Sequence, residues 1–217
     1  MPKKKRKVGS GNNERFFFVV RYLPSRADSA LLAGRCISQL HGYLLRNSHV
    51  QIGVSFPDWS DTQLGSYIGF VSAEKDHLDH FRQRAYFQIM QEDGLFSLTT
   101  TLEVPIGCAE VRFVRNQGLA KLFAGERRRR LARAKRRAEA RGDVFLPQSP
   151  PEHRDVLQFH RVLMQSQSNN QDFVMHIEKE PYDNSDSNTG FNNYGLACRV
   201  QHRGSVPELA SIVATLF

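Results

Sequence analysis

The chain has 217 residues, 40% of them apolar, and a formal net charge of +8, which suits one large domain or two small ones around an ordinary core. No apolar run approaches the roughly 18 residues a membrane span requires, and no secretory signal is recognisable, so a cytosolic native location is expected. The three cysteines, Cys36, Cys108 and Cys198, form no C-x-x-C pair and no close Cys/His set, which argues against a disulfide framework or a structural metal.

Taken in chain order, the run Pro2 to Val8 (PKKKRKV) followed by Gly9-Ser10-Gly11 reads as a nuclear-import tag and flexible linker, so residues 1–11 are set aside from the fold. Five positive charges sit there, which leaves the body at +3. Phe16 to Leu23 is aromatic and β-rich and is broken by Pro24. Ser29 to Arg46 repeats apolar residues every three or four positions, through Leu32, Cys36, Ile37, Leu40 and Leu44, and predicts a helix. Strands are expected at Val50–Phe56 and Ser66–Val71, a second helix over Ser72–Met90, and a further strand at Leu95–Val104. The order β-α-β-β-α-β is that of a ferredoxin-like domain, placed at residues 12–105.

Beyond Pro105 a C-terminal part spanning 106–217 is expected to hold a short strand at Ala109–Arg115 and a basic helix at Ala120–Arg141. A Pro-rich connector at Gly142–Val156 follows, then strands at Leu157–Gln165 and Asp172–Lys179. A polar loop at Glu180–Asn193 and an apolar tail at Leu209–Phe217 complete it. The predicted class is therefore α+β. The tail is expected either to pack on its own domain or to present a surface to another protein subunit.

The basic helix dominates the charge distribution. Between Glu126 and Arg141 stand nine basic residues, Arg127, Arg128, Arg129, Arg130, Arg133, Lys135, Arg136, Arg137 and Arg141, against the two carboxylates of Glu126 and Glu139. The rest of the body is consequently net negative, so the basicity is local and marks a docking element for a polyphosphate. Arg130, Arg133, Arg137 and Arg141 form one stripe at helical spacing, while Leu131, Ala134 and Ala138 form a narrow apolar one. A solvated charged face usually mixes Glu with Lys, and this one barely does. Because the major groove of duplex RNA is deep and narrow, such a helix would recognise shape and phosphates rather than bases. Tyr67-Ile-Gly-Phe-Val71 loosely matches an aromatic RNA-recognition strand but lacks the Lys/Arg-Gly opening, so an ordinary core strand is the alternative.

On the residues alone, His41 could be a half-buried helix histidine, Ser166 and Ser168 turn residues, and Tyr194 a strand-edge aromatic. No carboxylate pair has the setting of a two-metal nuclease. Metal-free RNA cleavage would use the RNA's own 2′-hydroxyl as nucleophile, with a base active near neutral pH, for which histidine is the ordinary choice. It also needs groups that fix the ribose and stabilise charge on the phosphate.

Ser38-Gln-Leu-His41, Gln51-Ile-Gly-Val-Ser-Phe-Pro-Asp58, Ser166-Gln-Ser168 with Phe173, and Tyr194-Gly-Leu196 together resemble the type I-F CRISPR-repeat endoribonucleases, the Csy-type crRNA-processing enzymes, over roughly residues 14–207. The resemblance implies a ferredoxin-like domain joined to a part that grips a repeat hairpin. It implies cleavage at the 3′ base of the stem, without metal or cofactor, leaving a 2′,3′-cyclic phosphate and a 5′-hydroxyl. By the same resemblance His41 matches the general base, Ser166 the hydroxyl that positions the attacking 2′-OH, and Tyr194 the aromatic that orients the site. Phe173 matches the ring that stacks at the base of the stem, and Ser168 a neighbouring polar contact. Arg129, Arg130, Arg133, Arg136, Arg137 and Arg141 fall on the family's RNA-binding helix. The expected partners are the CRISPR RNA 3′ stem-loop and other subunits of a type I-F guide-RNA complex, in which the protein would remain bound. A non-catalytic hairpin cap in the same kind of complex is the alternative. Where the family presents an Arg and a Gln to base edges, the preferred register places Phe113 and Arg115, so Arg115 is expected to read a guanine edge.

Overall fold

In the computed structural model the described residues are 14–119, 124–145, 158–165, 172–182 and 190–217, the side chains at 124–127 and 130 excepted. The first half contains β1 (Phe16–Tyr22), α1 (Ser29–Arg46), β2 (Gly53–Ser55), β3 (Tyr67–Ser72), α2 (Lys75–Arg82), α3 (Ala85–Glu92), β4 (Phe96–Leu98) and β5 (Leu102–Glu103). Their sheet runs β2-β3-β1-β4, with β5 also on β1 and every pairing antiparallel. That interleaved strand order is the split β-α-β-β-α-β arrangement expected from the sequence.

Helix α1 has the predicted bounds. Asp28 caps it by accepting a hydrogen bond from the Leu31 N–H at 3.0 Å, which satisfies one of the donors a helix start leaves open. The single helix expected over Ser72–Met90 is instead two, with Arg84 in an extended conformation between them. Phe81 and Phe87 are six residues apart, about 120° from one another around a continuous helix, so one straight helix would splay them to opposite edges of its buried face. The break lets each ring meet Phe18, at centroid distances of 6.1 and 6.2 Å, and Phe70 and Tyr43 close the cluster. The strand expected over Leu95–Val104 is also divided. Val20 pairs with Leu98 and Phe17 with Leu102, so two β1 residues face three threonines, a bulge. Thr99 occupies it, its hydroxyl accepting from the Val19 N–H at 3.0 Å.

The second half adds β6 (Glu110–Arg115), α4 (Ala124–Arg141), β7 (Phe159–Gln165), β8 (Asp172–Pro181), β9 (Val206–Pro207) and α5 (Ala210–Val213). Its sheet runs β7-β8-β6-β9, again antiparallel. The polar stretch expected from Glu180 begins later than predicted, because Glu180 and Pro181 still pair with Arg112 and Val111. Among the described residues no helix is long and apolar enough to cross a membrane.

The two sheets share one apolar core. Helix α1 lies so close to β7 that a Cβ on Gly34 would sit 2.1 Å from the Leu163 carbonyl oxygen; only glycine permits that approach. On the other side, the C-terminal segment covers the face of the first sheet turned away from its helices. Leu209 lies against Gly69, Phe191 and Val206 against Gly53, and Ser55 Oγ donates to the Pro207 oxygen at 3.4 Å. Arg21 reaches Tyr67 and Phe217 at 6.0 and 5.7 Å from the ring centroids. The Tyr67–Val71 strand is therefore core: Ile68 and Phe70 are fully buried, and Tyr67 packs on the tail.

Candidate active site and basic helix

His41 stands on the flank of α1 beside Leu40, which is buried among the core residues of that helix. Its Nδ1 lies 2.9 Å from the main-chain oxygen of Asn193. A carbonyl oxygen can only accept, so Nδ1 carries the proton in that contact, and in the neutral ring Nε2 keeps the lone pair. The imidazole also stacks on Tyr194, with centroids 4.2 Å apart and planes 8° from parallel. Both partners come from a turn about 150 positions further along the chain, held by hydrogen bonds at Asn192 and by Gly195.

That turn is locked between the two halves. The Gly195 carbonyl accepts from the Val54 N–H at 2.8 Å, while Ala197 bridges β6, its N–H donating to the Phe113 oxygen and its oxygen accepting from the Arg115 N–H, each at 2.9 Å. Gly195 has φ +72°, and a Cβ there would come within 2.6 Å of Leu40 and 2.8 Å of Val54. Conformation and space both demand glycine.

Arg115, at the end of β6, places its guanidinium carbon 4.5 Å from the Tyr194 ring centroid. His41, Tyr194 and Arg115 are thus brought together. The cation over the ring is itself a favourable contact, and the Arg115 Nε is buried with no hydrogen-bond partner. Phe113, two residues earlier, is only 2% exposed and packs edge-on to Phe56 and against Trp59, at 5.1 and 5.5 Å. It cannot reach a nucleic acid; of the two base-edge positions in the preferred register, only Arg115 remains available. Directly after Arg115, the Asn116 side chain accepts from the Gly118 N–H and donates to the fully buried Glu178 carboxylate, whose second oxygen takes Arg199 at 3.0 Å. A buried charge satisfied on both oxygens fixes where the chain leaves β6.

Phe173 lies at the start of β8 opposite Met164, half-buried against the core. Ser166 and Ser168 lie outside the described residues. Helix α4 exposes Arg129, Arg133, Arg136, Arg137 and Arg141; the side chain of Arg130 is outside the described set. Ala138 is buried and Leu131 and Ala134 half-buried, so the narrow apolar stripe faces protein while the arginines face outward. Lys135–Glu139 at 3.8 Å and Arg141–Asp143 at 3.0 Å are exposed pairs, worth at most about 1 kcal/mol each. The helix closes at Gly142, whose N–H donates to Glu139 O while the Asp143 N–H donates to Ala138 O, the paired bonds of a Schellman end.

Burial pushes the Cys36 thiol well up, and burial together with the nearby Glu110 carboxylate raises Cys108, so neither is an activated thiolate. Among the described residues no group of three or more His, Cys, Asp or Glu is placed to hold a metal ion.

The sequence did not single out the Asn193 carbonyl or the Asn192 turn. Its signal was Asn-Asn-Tyr-Gly, a turn composition, absorbed there into a polar loop. Compared with known families, the model described as CRISPR-associated protein (Cas_Csy4) matches residues 18–209. No curated protein matches the chain.

Proposed function

The chain belongs to the Cas_Csy4 family of CRISPR repeat-cleaving endoribonucleases, and on that premise we propose a metal-independent cut at the 3′ base of a repeat stem-loop. His41 Nε2 takes the proton from the ribose 2′-OH on the 5′ side of the scissile bond. The 2′ oxygen attacks phosphorus, the bond to the 5′ oxygen breaks, and that oxygen leaves protonated by solvent. The products are a 2′,3′-cyclic phosphate and a 5′-hydroxyl.

In this scheme Ser166 positions the nucleophile and Tyr194 holds the imidazole plane. Arg115 meets the lower stem, where the charge of its guanidinium suits a guanine edge. Phe173 stacks on the terminal pair with Ser168 as a polar neighbour, and the exposed arginines of α4 hold the stem by its phosphates. The protein then stays with its product as a subunit of a type I-F guide complex.

The observation that carries the proposal is the double constraint on His41, a carbonyl on Nδ1 and a ring against its face. With Nδ1 taken up by the carbonyl, the lone pair of Nε2 is left for the role of a base. Incubation with repeat RNA in excess EDTA, between about pH 6 and 9 where a histidine base works, is expected to give full cleavage. Intact RNA throughout would leave only a hairpin-binding cap, and a strict requirement for added metal would overturn the mechanism.

A further inference from the structure

We propose that Asn192 is a positioning residue for the cleavage reaction, which it serves by setting the tautomer and orientation of His41. This rests on the ribonuclease reading above.

No described hydrogen bond joins Asn192 to His41, yet Asn192 organises both groups that contact the imidazole. Its Oδ1 accepts from the Tyr194 N–H at 2.8 Å and from the Leu196 N–H at 3.4 Å. Its main-chain oxygen accepts from Gly195 N–H and its own N–H donates to the Leu196 oxygen, both at 2.9 Å. The amide nitrogen donates to Cys198 Sγ at 3.3 Å. Main chain and side chain of Asn192 together hold residues 192–196 in a tight turn, and inside that turn lie the Asn193 oxygen and the Tyr194 ring. The bond from Oδ1 to the Tyr194 N–H fixes the peptide plane that joins residues 193 and 194. The carbonyl of that same peptide is the acceptor for His41 Nδ1.

The consequence for chemistry is specific. A neutral imidazole has one donor and one acceptor nitrogen, and whichever partner engages one of them decides the role of the other. With the Asn193 carbonyl held on Nδ1, the lone pair belongs to Nε2. If the 193–194 peptide can rotate, that acceptor is lost, the proton can move to Nε2, and the ring no longer presents a base outward. The polar side chain is therefore required at 192 for what its acceptor oxygen does, not for its volume. Asp can supply an equivalent oxygen, and Ser a shorter and weaker one.

The test compares wild type with Asn192→Ala and Asn192→Asp in three readouts: single-turnover cleavage of repeat RNA at saturating protein, hairpin Kd, and the nitrogen-15 signature of His41 in the free protein. Asn192→Ala is expected to slow cleavage about 10- to 100-fold, the scale of a misplaced catalytic group, with Kd within about twofold because no phosphate contact is removed. His41 should shift from the Nδ1–H form toward a mixture of tautomers. Asn192→Asp should recover most of the rate and the Nδ1–H signature. If the Ala variant does not fold, Asn192→Ser takes its place with an intermediate rate expected. Wild-type cleavage by the Ala variant, equal impairment of Ala and Asp, or an unchanged His41 tautomer would each overturn the assignment. A wild-type protein that does not cut at all would instead defeat the ribonuclease reading, and the tautomer comparison would still decide the role of Asn192.

Discussion

His41→Ala is expected to lower the single-turnover rate of repeat cleavage by about 10²- to 10⁴-fold, the usual contribution of a positioned general base. Hairpin affinity should stay within about twofold. The separation follows from where the residue sits. Among the described residues His41 makes one hydrogen bond and one ring stack, whereas the surface proposed for a polyanion is on α4. Losing that hydrogen bond costs about 1 kcal/mol, well inside the 5–15 kcal/mol by which domains are usually stable, so the variant should remain folded. Gel-shift and cleavage assays on one preparation check both halves of the expectation. A variant that lost affinity in proportion to rate would show His41 to be a structural residue.

Neutralising Arg130, Arg133 and Arg137 together to Gln should do the opposite. Each phosphate contact contributes about 0.7 on a single strand and about 0.9 on a B-form duplex to the slope of log affinity against log salt, so three lost contacts flatten it by at least about two. If the affinity extrapolated to 1 M salt is unchanged, a slope change of that size weakens binding about 100-fold at 0.1 M. Cleavage at saturating protein should proceed near the wild-type rate, since Arg133 and Arg137 are exposed on α4 and make no described contact with His41, Tyr194 or Arg115. The physical basis is the imbalance of the helix, nine basic residues against two carboxylates between Glu126 and Arg141. Its exposed pairs with Glu139 and Asp143 neutralise little of that charge. Titrations across a salt series decide it, and an unchanged slope would remove α4 from the interface.

How much of this could be read in the sequence follows from the range of the interactions involved. Helix α1 was legible to its ends because a local cap at Asp28 and a local apolar repeat define it. The break between α2 and α3 was not, because it answers to Phe18, more than sixty positions away, which both Phe81 and Phe87 must reach. The bulge at Thr99 was hidden for the same reason: a run of threonines favours strand throughout, and only pairing with β1 shows that one residue is surplus. For the site, the residue types needed by the chemistry and the resemblance of the short motifs pointed to His41 and Tyr194. Their contact spans about 150 positions and could not be derived from either neighbourhood. The same holds for Arg115 over Tyr194 and for the burial of Phe113, which a register argument had placed beside RNA. Strand alternation explains both after the fact, because Phe113 and Arg115 point to one face of β6, the former beneath Trp59 and the latter at the open end.

The central claim is that the RNA supplies its own nucleophile and His41 activates it. A repeat RNA with a single 2′-deoxy substitution at the nucleotide 5′ of the cut tests this most directly, measured beside the unmodified RNA under the same conditions. The deoxy RNA should bind with unchanged affinity and remain intact, while the unmodified RNA is cut to a 2′,3′-cyclic phosphate end. Cleavage of the deoxy RNA at the same bond would contradict the mechanism, because water or another group would then be the nucleophile.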